Sequence, residues 1–278
     1  MNSIKNQTLQ PYEVLIIDDC SSDTYDDILK DYDNIRYIRL EKNKGVGAVR
    51  RKIVDECKTK YLTMIDSDDK LYNDDVIHTF NDLLLKLNPD ILNTCYYQEN
   101  YDGTYLKILT MANCLGKVYN IDFMRKHNIN FCDARTHEEG FVNRYIENYG
   151  KVFSTPEYVS YIWRCHNISI TRGNDYTYTG FEDYINSIKK SYLVVKDINY
   201  RSEMIIYAHS YFEQIRLKYK CERKEFLNLL KYVSFDELLD FKKNNLDRYN
   251  FILNDVKNNT YNLKLMEDIF KYKERIII

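Results

Sequence analysis

Tyr61-Leu62-Thr63-Met64-Ile65-Asp66-Ser67-Asp68-Asp69 is the stretch whose reading decides the fold. A short apolar run ends abruptly in three carboxylates. The apolar part predicts a buried strand of a largely parallel sheet. Ligands of open α/β sheets bind beyond the carboxyl ends of the strands, where Asp66 and Asp68 would then lie. Residues two apart in an extended segment point the same way. Two such carboxylates repel unless a cation sits between them, and hard oxygen ligands suit Mg2+ or Mn2+ shared with substrate phosphates. A solvated turn with a helix cap is the plain rival reading. A calcium loop counted from Asp66 fails, because its sixth residue is Leu71 rather than glycine and its twelfth is Ile77 rather than glutamate. No Gly-rich phosphate loop ending in Lys-Ser/Thr occurs.

At 278 residues the chain has room for an α/β domain and a smaller appendage. With 8 glycines and 3 prolines, long disordered linkers are not expected. The 42 acidic and 40 basic residues nearly cancel, so no global charge argues for nucleic acid. Seven cysteines, an odd number without a Cys-x-x-Cys, suggest neither a disulfide framework nor a zinc site and fit a reducing cytoplasm. No apolar run is long enough to span a bilayer.

Working outward, residues 1–10 read as a helix tail broken by Pro11. Strands are expected over 13–17, 35–40, 91–97 and 104–109, the last two joined by a hairpin turn at Asp102-Gly103. Helices are expected over 24–32, from Val46 to about Cys57, and over 74–87, where Pro89 follows. The alternation gives an α/β, doubly wound, mostly parallel sheet that turns mixed after residue 97. From about Thr179 the periodicity is helical, with helices expected over 222–232, 235–244 and 263–272. The boundaries are therefore 1–175 for the α/β domain and 176–278 for a helical region.

Several motifs, in order, resemble the inverting nucleotide-sugar transferases of glycosyltransferase family 2, which have the GT-A fold. Ile17-Asp18-Asp19-Cys20-Ser21-Ser22-Asp23 is similar to the family's nucleoside-binding loop, with Cys20 where glycine is usual. Asn43, Gly45 and Arg50 resemble its next motif, and Asp66-Ser67-Asp68-Asp69 its metal-binding Asp-x-Asp. Gly116-Lys117-Val118-Tyr119 resembles the turn before the acceptor region. Thr136-His137-Glu138-Glu139-Gly140-Phe141 resembles the base-carrying Glu-Asp segment, and residues 161–171 the closing segment. The family opens on an apolar strand that is not found ahead of residue 1. That predicts unpaired backbone on both neighbouring strands and a distorted donor site.

The resemblance implies transfer of a sugar from a nucleotide diphosphate, with UDP favoured, to a glycan or polyol-phosphate acceptor in cell-surface polysaccharide synthesis. It gives Asp18, Asp19, Ser21, Arg50, Asp66, Ser67 and Asp69 to the nucleotide, with Asp69 chiefly anchoring its loop. Asp68, with Asp66 and His166, would hold Mn2+ or Mg2+. Glu139 would be the general base. Each has a structural counterpart: Asp19 as a cap, Arg50 as a solvated helix residue, Glu138 and Glu139 as favourable charges at a helix N-terminus. A non-catalytic remnant serving as a binding module and a nucleotidyltransferase of similar architecture remain as alternatives. Peripheral contact with the inner membrane face and homo-oligomerisation stay open.

Overall fold

The computed structural model describes residues 1–23, 25, 29–30, 34–166, 180–220 and 224–250. The chain divides into two compact units, Met1–Arg172 and Gly173–Ile278. The helices expected over 24–32 and 263–272 fall largely or wholly outside the described residues, as does the end of the closing segment.

In the first unit, α1 (Asn2–Lys5) is followed by β1 (Val14–Asp18) and β2 (Ile35–Arg39), which pair in parallel. Then come α2 (Val46–Glu56), β3 (Tyr61–Thr63), β4 (Lys70–Leu71) and α3 (Val76–Leu87). Strands β5 (Ile91–Glu99), β6 (Tyr105–Ile108) and β7 (Lys117–Asn120) follow, with α4 (Ile121–Lys126), α5 (Gly140–Tyr149) and the long β8 (Val152–Trp163). The main sheet runs β3-β7-β5-β8-β4, with β6 added to β5.

The class is α/β, and the mixed part is larger than the alternation of elements suggests. Strand β7 runs antiparallel between β3 and β5, whereas β5 and β8 are parallel. The turn-like Gly116–Tyr119 is thus mostly a sheet strand: Gly116 turns at φ 65 and the three residues after it pair. The leading helix shrinks to Asn2–Lys5, too short to be stable except by packing, with Ile4 against the Leu71, Val76 and Phe80 cluster. Strand β3 stops at Thr63, so Met64 and Ile65 already belong to the loop.

The β1–β2 ribbon is a sheet of its own, and among the described residues β1 and β3 each have a single ladder partner. Their residues are mostly half-buried, while the first six of β5 are fully buried. The main sheet is covered on both faces. Successive residues Ile91 and Leu92 join different core clusters, as do Tyr119 and Val118. Val54 of α2, Met124 of α4 and Val142 and Ile146 of α5 cover one face, and Val76 and Phe80 of α3 the other.

In the second unit, α6 (Phe181–Tyr192), α7 (Ile198–Tyr219), α8 (Lys224–Leu230) and α9 (Phe235–Asn244) share a core that includes Phe181, Ile185, Phe212, Phe226 and Leu238. Ser234 caps α9 by accepting from the Glu237 amide. Among the described residues, no helix is long and apolar enough to cross a membrane.

Candidate active site

Two glycines set the geometry. Gly45 has φ 86, in the left-handed region where a side chain is strained. A Cβ on Gly47 would lie 2.2 Å from the Cys132 carbonyl oxygen and 2.5 Å from that of Ala134. The first turn of α2 therefore seats directly on residues 132–134, and the Gly47 amide donates to Ala134 O at 2.9 Å. The contact brings α2 beside the segment carrying Glu138 and Glu139.

Arg50, one turn further on, is buried rather than solvated. Its guanidinium contacts the Glu138 carboxylate, donates to Asp66 Oδ1 at 2.9 Å, and lies 3.7 Å from Glu139 Oε2. Burial opposes its charge, but the surrounding carboxylates hold its pKa well above the usual arginine value. One cation thus ties the carboxylate loop after β3 to the segment opening α5. Burial and the neighbouring Glu139 push the Glu138 carboxyl up, against the pull of Arg50.

Glu139 sits at the N-cap position of α5, but its side chain makes no capping bond. Its Oε2 is buried and has no hydrogen-bond partner among the described residues. A carboxylate oxygen in that state has a lone pair to offer an incoming hydroxyl.

The carboxylate loop is pinned from below by Tyr161 of β8. The Asp66 amide donates to the Tyr161 hydroxyl at 3.2 Å, and that hydroxyl donates to Asp69 Oδ2 at 2.6 Å. The Arg164 amide donates to Asp69 Oδ1 at 2.8 Å. Asp69 is thus an anchor. Burial, with the charges of Asp66 and Asp68, raises its pKa to about 6 despite those two bonds. Ser67 and Asp68 stand exposed at the tip of the loop. His166 Nε2 meets Asp68 Oδ2.

For a divalent cation, Asp68 and His166 supply an oxygen and a nitrogen that already touch. Asp66 is engaged by Arg50, and among the described residues no three His, Cys, Asp or Glu side chains form a metal-ready group. A cation there would draw on Asp68, on His166 once its Nε2 releases Asp68, and on substrate phosphates for its remaining ligands.

On β1, Asp18 accepts from the Tyr37 hydroxyl at 2.6 Å, the Ser21 amide at 2.9 Å and Arg39 at 3.2 Å. Burial alone would raise its pKa, and these bonds outweigh it and hold the carboxyl low. Asp18 and Ser21 are therefore part of the loop's own scaffold. Asp19 accepts from the Lys44 and Gly45 amides, each at 2.7 Å, and so secures the entry to α2. A carboxylate has further lone pairs, so these two bonds leave acceptor capacity. Cys20 has φ 62, which gives the physical reason for glycine at that place.

Lys117 and Tyr119, which the sequence offers only as part of a turn motif, and Asn143 support the site from within. Tyr119 donates to Asn143 Oδ1 at 2.8 Å, and Asn143 donates to the carbonyls of Met111 and Asn113. Lys117 is fully buried and donates to Thr110 O at 2.6 Å. Burial pulls its pKa down to about 8. Together they fasten residues 110–115 beside the candidate base. A lysine inside a strand next to Val118 and Tyr119 was the available signal.

Residues 1–146 match the family described as Glycosyl transferase family 2. TuaG of Bacillus subtilis, named for teichuronic acid biosynthesis, is 35% identical over 110 residues, covering 38% of this chain and 43% of that protein. A teichoic acid poly(glycerol phosphate) polymerase of Staphylococcus epidermidis is 38% identical over 76 residues, covering 26% of this chain and 10% of that protein. The chain spans less than half the length of these curated relatives. The crystal structure of S. aureus TarS 1-349 in complex with UDP-GlcNAc superposes with a TM-score of 0.68 at 16% identity, covering 94% of this chain and 88% of that one. At that identity the likeness speaks for the fold alone. With more than half of its length matched, the chain belongs to glycosyl transferase family 2.

Proposed function

We propose that the chain is a metal-dependent, inverting glycosyltransferase that moves a sugar from a UDP-sugar to an acceptor hydroxyl of a cell-wall polymer. The observation that carries this is the Arg50 bridge. It joins the carboxylate loop to Glu138 and leaves Glu139 Oε2 buried and without a hydrogen-bond partner beside it. The names of the relatives support the polymer class, and the UDP-GlcNAc bound to TarS supports the donor class.

In this reading Glu139 takes the proton of the acceptor hydroxyl as its oxygen bonds to the anomeric carbon from the face opposite the diphosphate. The bond from that carbon to the diphosphate oxygen breaks, and the electron pair leaves with UDP. Asp68 and His166 would hold Mn2+ or Mg2+, which would supply charge neutralisation for a departing diphosphate. Arg50 keeps Asp66 and the base segment at a fixed separation, so reactant geometry is set before substrate arrives. Asp18, Asp19 and Ser21 build the nucleoside end of the site, with Asp19 offering its remaining lone pairs to the base, and Ser67 lies at the loop tip toward the nucleotide.

A binding module without turnover is the second reading. It is favoured by Asp66 and Asp19, whose carboxylates are already engaged within the protein. Release of free UDP from a panel of nucleotide sugars, with cell-wall polymer fragments as acceptors, separates the two. Transfer that is lost in Glu139→Gln while UDP still binds supports the enzyme. Full turnover in that variant refutes the base, and no turnover with any donor leaves the module.

A further inference from the structure

A file of tyrosines lies outside the site just described. Tyr97 of β5 and Tyr105 of β6 are diagonal neighbours on one face of the hairpin, with ring centroids 5.8 Å apart. Tyr72, just past β4, packs edge-on against Tyr97 from the other side, centroids 5.4 Å apart. Tyr72 and Tyr105 remain 44% and 48% exposed. The alternate residues of the hairpin, Tyr96 and Ile108, turn toward the core instead.

The face carrying the tyrosines is not aliphatic. Glu99 stands opposite Tyr105, and Lys107 opposite Tyr97. Rings set among charged and hydrogen-bonding groups suit a ligand with an apolar C–H face and a hydroxyl rim, which describes a pyranose ring. An aliphatic protein or acyl surface would leave those charges desolvated.

The file also leads to the chemistry. The Tyr105 hydroxyl donates to Glu99 Oε1 at 3.1 Å, and Glu99 Oε2 accepts from the Cys165 amide at 2.9 Å. Cys165 stands between Arg164, whose amide holds Asp69, and His166, which meets Asp68. The strip and the carboxylate loop are therefore fastened to the same three residues.

We propose that Tyr72, Tyr97 and Tyr105 form an aromatic binding track for the pyranose rings of an extended acceptor glycan, leading the chain toward the carboxylate loop. This rests on the transferase reading, and it names the ring-containing part of the acceptor that a polyol phosphate lacks.

The test is a glycan array of neutral and anionic pyranose oligosaccharides, with poly(glycerol phosphate) as the ring-free control. It is probed with the full chain and with Tyr97→Ala, Tyr72→Ala and Tyr105→Phe, and melting temperatures confirm folding. The wild type binds pyranose chains better than the control. Tyr97→Ala and Tyr72→Ala lose about tenfold or more in half-saturating concentration, as expected for a lost aromatic platform, and Tyr105→Phe, which keeps its ring, binds within about twofold. No pyranose binding by the wild type, or equal binding by the alanine variants, overturns the track. UDP titration of the same samples is the separate arm. Nucleotide binding with unchanged glycan binding in the alanine variants sinks only the track, whereas glycan binding without nucleotide binding sinks only the transferase reading.

Discussion

Removing the Arg50 charge tests the link between the carboxylate loop and the base segment. Arg50→Met keeps most of the stem and leaves Glu138, 3% exposed, without its cation. Breaking a buried pair by deleting one partner costs about 3–5 kcal/mol when the other charge stays buried, and proton uptake by Glu138, whose pKa burial and Glu139 push up to about 8, brings the loss toward the lower figure. For a unit of this size that is roughly 6–20 °C in melting temperature. Glu138→Gln in the Arg50→Met background replaces the stranded carboxyl and restores part of the loss, so a double-mutant cycle shows coupling of about 2 kcal/mol or more. The assay is urea unfolding followed by the fluorescence of the single tryptophan, Trp163, which lies in β8 of the same unit. A solvated helix arginine would change stability by less than about 0.5 kcal/mol and show no coupling to Glu138. That outcome would refute the bridge and the preorganisation drawn from it.

Three further outcomes follow from particular residues. Cys20→Gly, at φ 62, is expected to gain about 0.5 kcal/mol and Cys20→Val to lose about 1–2, and equal effects would show that the turn is not strained. Asp69, with its pKa raised to about 6, makes the folded state bind a proton more tightly than the unfolded chain. Its contribution to stability therefore falls as pH rises from about 4 to about 6, and the stability difference between wild type and Asp69→Asn should shift in that window and be flat above it. Amide exchange in β1, which among the described residues pairs only with β2, should outpace that in β5, laddered on both sides by β7 and β8, by about two orders of magnitude or more. Equal protection would mean that the two sheets open as one.

The elements that depend on local pattern were readable in the sequence. Asp102-Gly103 makes its hairpin, with Gly103 at φ 79. Asn88 closes α3 in a left-handed conformation one residue before Pro89. The helix at Phe235–Asn244 has its expected bounds. What escaped depends on partners far along the chain. The burial of Arg50 comes from Glu138, 88 positions on, and periodicity within α2 carries no trace of it. Asp19 accepts from the Lys44 and Gly45 amides just ahead of α2, partners that its own loop does not reveal. Tyr161 reads as a core residue, and the part its hydroxyl plays under the Asp66 amide shows only when β8 crosses beneath the loop. The mixed sheet was only partly foreseeable, because β7 is four residues long and too short to show a period.

The central claim is that a cation and a diphosphate meet at the loop carrying Asp68. Calorimetric titration of UDP, with and without Mn2+, into the wild type, Asp68→Asn and His166→Ala tests it most directly. The account predicts binding that requires Mn2+ in the wild type and weakens at least about tenfold in both variants. UDP binding that ignores Mn2+, or that is unchanged in Asp68→Asn, would contradict it.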